Sequence, residues 1–295
     1  MKTKIASVRG AALVVAGLVL ATPAFAAGAA PHIERQQWSF SGPFGTYDKA
    51  QLQRGFKVFK EVCASCHGAK FLAFRNLAQE GGPGFTEDQA KAVAAEYTVS
   101  KGVDDAGEPV EGPATLADHW PSPFPNEQAA RASNGGAYPP DFSTLAKARA
   151  GHRGFPNFVF DAFTQYQEQG PDYIYALLTG YEDPPSCFPE DFVGNYNTKF
   201  LGGSITFEDC KGEAHLTGGP IGMAPPLYAE SVEYTDGTPM TVDQYAHDVA
   251  AFMMWVAEPK LEQRKQMGFR VMIFLVVFAS LLYFVKRAIW RDVDH

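Results

Sequence analysis

Four stretches of the chain carry a hydrophobic rhythm strong enough to predict helices. In YDKAQLQRGFKVFKEV, Leu52, Phe56, Phe59 and Val62 recur near the helical period, and Asp48 stands where an N-cap is expected. FTEDQAKAVAAEY starts a second helix with Thr86 as its cap. TVDQYAHDVAAFMMWVAEP opens with Thr241 and Gln244 in capping-box spacing and stops ahead of Pro259. Its apolar stripe runs through Val242, Tyr245, Val249, Phe252 and Val256. The fourth stretch, VMIFLVVFASLLYFV from Val271 to Val285, is apolar on every face and bracketed by Arg270, Lys286 and Arg287. Extended by its apolar flanks, it predicts a transmembrane anchor over 267–290 with a tail at 291–295.

A shorter apolar run sits at the other end. Lys2, Lys4 and Arg9 precede Ala11 to Leu20, and Ala24 to Ala26 form a small-x-small cleavage site, so residues 1–26 read as an export signal. Ten apolar residues span only ~15 Å as a helix, too little to cross a bilayer. The predicted organisation is an exported domain over 27–266, held by one C-terminal span whose tail stays in the cytoplasm. Within that domain lie HWPSPFPNEQ, NGGAYPPDF, YEDPPSCFPEDF and GGPIGMAPPLY, and no strand pattern of convincing length. A few helices joined by long loops make a mainly α fold that needs a filler, and a large apolar cofactor would serve.

EVCASCHGAK supplies the chemistry. Cys63, Cys66 and His67 have the Cys-x-x-Cys-His spacing of c-type haem attachment, in which both thiols bond the porphyrin and the histidine faces the iron. A zinc site would want a second Cys or His pair, and the other cysteines, Cys187 and Cys210, stand apart from each other. A thioredoxin-like pair would want a strand ahead of it, where this chain predicts a helix. For the sixth iron position, Met223 in GGPIGMAPPLY sits on a loop of glycines and prolines suited to close approach. Met240 and His119 are the weaker rivals, while Met253 and Met254 read as packing residues. Cys187 and Cys210, in an exported protein, are expected to form a disulfide.

The segments SFSGPFGTYDKAQLQRGFKVFKEVCASCHGAKFLAFRNL, PFPNEQAARASNGGAYPPDFS, LLTGYEDPP, IGMAPPLY and DVAAFMMWVAEPKLEQRKQMGFR, followed by the anchor, resemble the cytochrome c1 family of proteobacterial cytochrome bc1 complexes. The resemblance runs from about Trp38 to Trp290. The second cysteine pair departs from the mitochondrial pattern and is similar to pairs in bacterial relatives. The resemblance implies a class I cytochrome c fold with long loop insertions and one covalent haem c on Cys63 and Cys66. His67 and Met223 would be the axial ligands. It also implies that the loop from Asn134 through Pro140 to Asp141 lies near the haem, with Arg149 or Arg153 beyond it.

The implied role is electron transfer from a Rieske iron-sulfur protein to a soluble or tethered cytochrome c. The chain would work beside cytochrome b in a dimeric complex of the bacterial inner membrane, with the haem domain on the periplasmic side. A stand-alone tethered carrier, or a haem enzyme or gas sensor, would share the haem motif. Formal net charge is −8, and becomes −11 once the three basic signal residues are removed. That balance argues against nucleic acid and for steering a basic partner. Asp104, Asp105, Glu108, Glu111, Glu182, Asp183, Glu190 and Asp191 are the candidate steering charges.

Overall fold

The structure is a computed structural model that describes residues 31–151, 154–202, 205, 210 and 216–292. The predicted export signal lies outside the described residues, as do Arg153, His152, His215 and His295.

Helix α1 (Lys49–Glu61) starts where the sequence predicts, with the Asp48 carboxylate accepting from the amides of Ala50 and Gln51 at 2.8 and 3.1 Å. α2 (Glu87–Ala95) carries a complete capping box between Thr86 and Gln89. An antiparallel hairpin follows, β1 (Thr98–Val103) with β2 (Pro109–Pro113). Short helices α3 (Glu127–Ser133), α4 (Leu145–Ala148) and α5 (Asn157–Thr164) lead to α6 (Gln169–Thr179). A second small antiparallel pair, β3 (Asn195–Asn197) with β4 (Gly219–Ile221), precedes α7 (Val242–Ala257) and the long α8 (Leu261–Ile289).

The architecture is the mainly α one expected of a class I cytochrome c with insertions. The chain shows no strand pattern of convincing length, and the strands that form in the β1–β2 hairpin and the β3–β4 pair are short, of 6, 5, 3 and 3 residues. β1 and β2 are exposed along almost their whole length, so they have no buried face to impose an apolar alternation.

α7 is the centre of the core. Val249, Phe252, Met254 and Trp255 are buried, and so are Ala246, Asp248 and Ala250, so the helix is covered on more sides than its predicted stripe. α1, α4 and α6 all pack against it. α1 crosses closely because residue 55 is glycine. A Cβ there would stand 2.1 Å from the Asp248 carbonyl oxygen and 2.7 Å from the Phe252 Cβ. Phe56 and Phe59 then pack on Phe252 with ring centroids 5.7 and 5.5 Å apart.

The most apolar 18-residue stretch of α8 has a mean hydropathy of 2.3, and none of that stretch is buried in the protein. At 1.5 Å per residue its 29 residues extend about 43 Å, enough to cross a ~30 Å hydrocarbon core. The helix begins at Leu261, ahead of the apolar run, and these first turns fasten it to the head. Leu261 is buried, Glu262 accepts from the Tyr47 amide at 2.8 Å, and Lys265 donates to the Phe40 carbonyl at 2.5 Å.

Candidate functional site

The end of α1 passes into a single 3-10 turn, Cys63–Ser65, so that the amides of Cys66 and His67 both bond the Cys63 carbonyl, at 3.1 and 2.9 Å. This turn places both thiols and the imidazole at one corner of the core. Cys63 is buried, and burial, with a smaller contribution from Cys66, pushes its thiol up to about 12. Both thiols are free.

His67 is held by the loop around residue 140. Its Nδ1 lies 2.8 Å from the Pro140 carbonyl oxygen. A carbonyl only accepts, so Nδ1 carries the proton and Nε2 keeps its lone pair. The ring rests on Phe142, centroids 4.5 Å apart. Burial lowers the His67 pKa below its ordinary value, against the opposing pull of the Pro140 bond and Asp141, which favours the neutral imidazole a metal requires.

The same loop is clamped along its length. The Phe142 amide donates to the Gly68 carbonyl at 2.8 Å, the Lys70 backbone amide to the Asp141 carboxylate at 3.0 Å, and the Phe71 amide to the Ser143 hydroxyl at 2.9 Å. Asp141 also accepts from the Ser143 amide at 2.9 Å, so one carboxylate fixes both sides of the clamp. Asn134 ends α3, its side chain donating to the Ala130 carbonyl at 2.7 Å. Its role is to turn the chain into Gly135 and Gly136, both at positive φ.

Met223 follows β4 on a loop that meets this one. Gly222 is packed so closely that a Cβ would stand 3.0 Å from that of Ala137. The Met223 side chain is half-buried, and its carbonyl accepts from the Tyr181 hydroxyl at 3.1 Å. The predicted ligands therefore lie on neighbouring loops, linked from His67 through Pro140 and Ala137 to Gly222. Arg149 is exposed at the end of α4, and its charge reaches Tyr173, whose own pKa burial raises. Phe71, just past His67, and Tyr138, just ahead of Pro140, are 64% and 50% exposed, so the corner presents apolar surface suited to a large flat group.

Two contributors escaped the sequence reading. Tyr181 stands in the LLTGYEDPP segment, but nothing in that pattern says that it props the Met223 backbone. Asp141 belongs to the loop already singled out, yet its two-sided clamp becomes visible only when residues 68–71 lie beside it. The rivals sit elsewhere. His119 is exposed and joined to Ala73 through a backbone bridge, and Met240 packs partly buried against the core. No cluster of three His, Cys, Asp or Glu side chains with metal-binding geometry forms among the described residues.

Comparison with known proteins supplies the family. A sequence model described as the Cytochrome C1 family matches residues 38–293. The chain belongs to the cytochrome c1 family. It is 46% identical over 295 residues to "Cytochrome c1" of Blastochloris viridis, covering 99% of this chain and 98% of that protein. The Rhodospirillum rubrum "Cytochrome c1" is 46% identical over 288 residues, covering 96% of this chain and 97% of the relative. A Bradyrhizobium diazoefficiens protein named "Cytochrome b/c1" is 51% identical over 259 residues, which are 87% of this chain but 35% of that longer protein.

Membership in the cytochrome c1 family implies a covalently bound haem c, and the donors described above fit it: two free thiols, a neutral imidazole with Nε2 unprotonated, and a thioether on the adjoining loop. Cys187 and Cys210 form the expected disulfide, with an S–S distance of 2.09 Å. Around it Phe188 and Tyr196 make a small second core, and Tyr196 lies in β3, which pairs with the β4 strand leading to Met223. Replacing both cysteines by serine is expected to cost roughly 3 kcal/mol by freeing the unfolded chain. Denaturant titration measures the loss, and a change within error would show that the bridge closes no constrained loop.

Proposed function

We propose that this cytochrome c1 is the electron-transfer subunit of a cytochrome bc1 complex, receiving one electron from a Rieske iron-sulfur protein and passing it to a cytochrome c. Cys63 and Cys66 would hold one haem through thioethers, and His67 and Met223 would supply the nitrogen and sulfur donors to its iron. The bound haem supplies reversible one-electron exchange between ferric and ferrous iron. The chain's own residues do the rest: Pro140 fixes the imidazole tautomer and Phe142 its tilt, while Tyr181 and the β3–β4 pair steady the Met223 loop. Second-partner bonds of this kind set ring orientation and ligand basicity. The observation that carries the proposal is the 2.8 Å bond between His67 Nδ1 and Pro140, which frees Nε2 at the corner holding both thiols.

Cytochrome b and the Rieske protein are the proposed partners, in a dimeric assembly with the haem domain on the periplasmic side and α8 in the inner membrane. The relative named for both b and c1 supports the first of these. Purification from membranes in mild detergent should yield a c-type reduced-minus-oxidised spectrum together with a cytochrome b and an iron-sulfur subunit. A chain that carries haem but travels alone would instead be a stand-alone carrier.

The acceptor would meet acidic loops. Glu182 and Asp183 line an open cleft of about 720 Å³ together with Tyr181 and Pro225, beside the Met223 loop, and both carboxylates are exposed. Charges this exposed act through steering and are screened beyond ~8 Å at physiological salt. Reduction of a basic cytochrome c is expected to slow roughly threefold or more as salt rises from low to physiological ionic strength. Stopped-flow rates of Glu182→Lys and Asp183→Lys should be lower and less salt-dependent; unchanged rates would move the docking face elsewhere.

A further inference from the structure

α5 is a helix whose apolar side chains face outward. Phe158, Phe160 and Phe163 are 59%, 61% and 82% exposed, Phe155 just ahead of it is 83% exposed, and no residue of the helix is buried. Its polar edge faces the protein instead. Asp161 pairs with Arg35 at 3.4 Å and accepts from Gln169 at 3.5 Å. At 100° per residue, Phe160 and Phe163 share a face turned away from Asp161 while Phe158 flanks it, and the Phe155 ring packs on Phe158 with centroids 6.2 Å apart. A soluble helix would normally be built the other way round.

Its position explains the inversion. After Gln165 ends the helix in the left-handed region, the chain reaches Gln167, whose side chain accepts from Arg264 at 3.0 Å. Arg264 lies in the first turns of α8, so α5 ends at the root of the membrane anchor. Another exposed aromatic outside the helix meets α8 further along. Phe44, 76% exposed, meets Phe269 of α8 edge-on with centroids 5.8 Å apart. The uncharged run begins at Val271, two residues further on. The head therefore touches α8 as far as Phe269, just ahead of the uncharged run, and the segment after α5 joins α8 at Arg264, five residues earlier.

We infer that α5 is an interfacial helix, its aromatic face set into the headgroup region of the bilayer that α8 crosses. Lipid is the occupant because the segment just after α5 is tied to Arg264 in the first turns of the anchor, about 10 Å along the helix from the uncharged run. Aromatic side chains suit that layer, and a helix tethered by one polar edge can lie in its plane. Paired with Phe44 at the root, the helix would fix the tilt of the head above the membrane, and with it the height of the His67 corner.

The test uses the whole complex in vesicles of phosphatidylcholine and phosphatidylglycerol. A nitroxide is attached to Phe163→Cys, or to Phe158→Cys as a second site, with a label at Asp105→Cys in the β1–β2 turn as the aqueous reference. Signal from labelled wild-type complex is subtracted. Labelling of this chain's Cys63 or Cys66 in that wild-type sample would speak against the haem assignment alone. The expected result is a label open to oxygen and shielded from a water-soluble nickel chelate, with Asp105→Cys open to the chelate. A chelate-accessible label at 158 and 163 would overturn the inference by placing the helix in water. A label shielded from both quenchers would overturn it in favour of a protein partner.

Discussion

Replacing Met223 by leucine is expected to lower the midpoint potential of the c-type haem by on the order of 100 mV and to let carbon monoxide bind the reduced protein. Leucine matches methionine in bulk but has no lone pair to give to iron. The loop should survive the change, because its support comes from the backbone: the Tyr181 hydroxyl bonds the carbonyl of residue 223, and Gly222 packs against Ala137. Cys63, Cys66 and the bond from His67 to Pro140 are untouched, so haem should stay attached. A redox titration with a carbon monoxide difference spectrum reads both effects. Met240→Leu is the control, since Met240 packs on the core and its carbonyl accepts from the Glu230 amide at 2.9 Å. If Met223→Leu leaves the potential and the closed sixth position as they were, the ligand is another residue, and the role of a closed electron carrier has to be rebuilt on it.

The features legible in the sequence are those whose cause is local. Asp48, Thr86 and Thr241 each cap a helix because a side-chain oxygen three or fewer positions from an orphan amide is enough, and that is written in consecutive residues. The cysteine and histidine spacing is local in the same way. Contacts across the chain were not legible. The clamp between Lys70 and Asp141, and the prop from Tyr181 to Met223, span 71 and 42 positions. α6 carries Gly170 and Pro171, residues that usually punctuate loops, in its first turn, where a proline lacks only an amide that would be unpaired anyway, so its start has no clear signal. The apolar alternation that announces a strand was missing from the β1–β2 hairpin because neither of its faces is buried.

The second large effect concerns the crossing of α1 and α7, which sets where the haem motif sits. Asp248 is wholly buried, and its carboxylate accepts from Arg54 Nε at 2.8 Å, Gln244 at 2.9 Å, the Tyr234 hydroxyl at 3.0 Å and Gln51 at 3.3 Å. Arg54 is the only cation among these donors, and it also reaches Asp236 at 2.9 Å near the surface. Arg54→Met would leave a buried carboxylate facing neutral donors alone. Breaking such a pair from one side costs about 3–5 kcal/mol, which corresponds to a fall in Tm on the order of 10 °C. Replacing both partners, as Arg54→Met with Asp248→Leu, should recover much of that loss, because no charge is then stranded. Thermal unfolding followed by circular dichroism gives the comparison. The pair is neighbour to Gly55, where α1 lies tight against the Asp248 carbonyl, so its failure should loosen the turn at Cys63 before it unfolds the head. A double variant no more stable than Arg54→Met would mean that the pair acts through its shape, holding α1 against α7, and not through its charge.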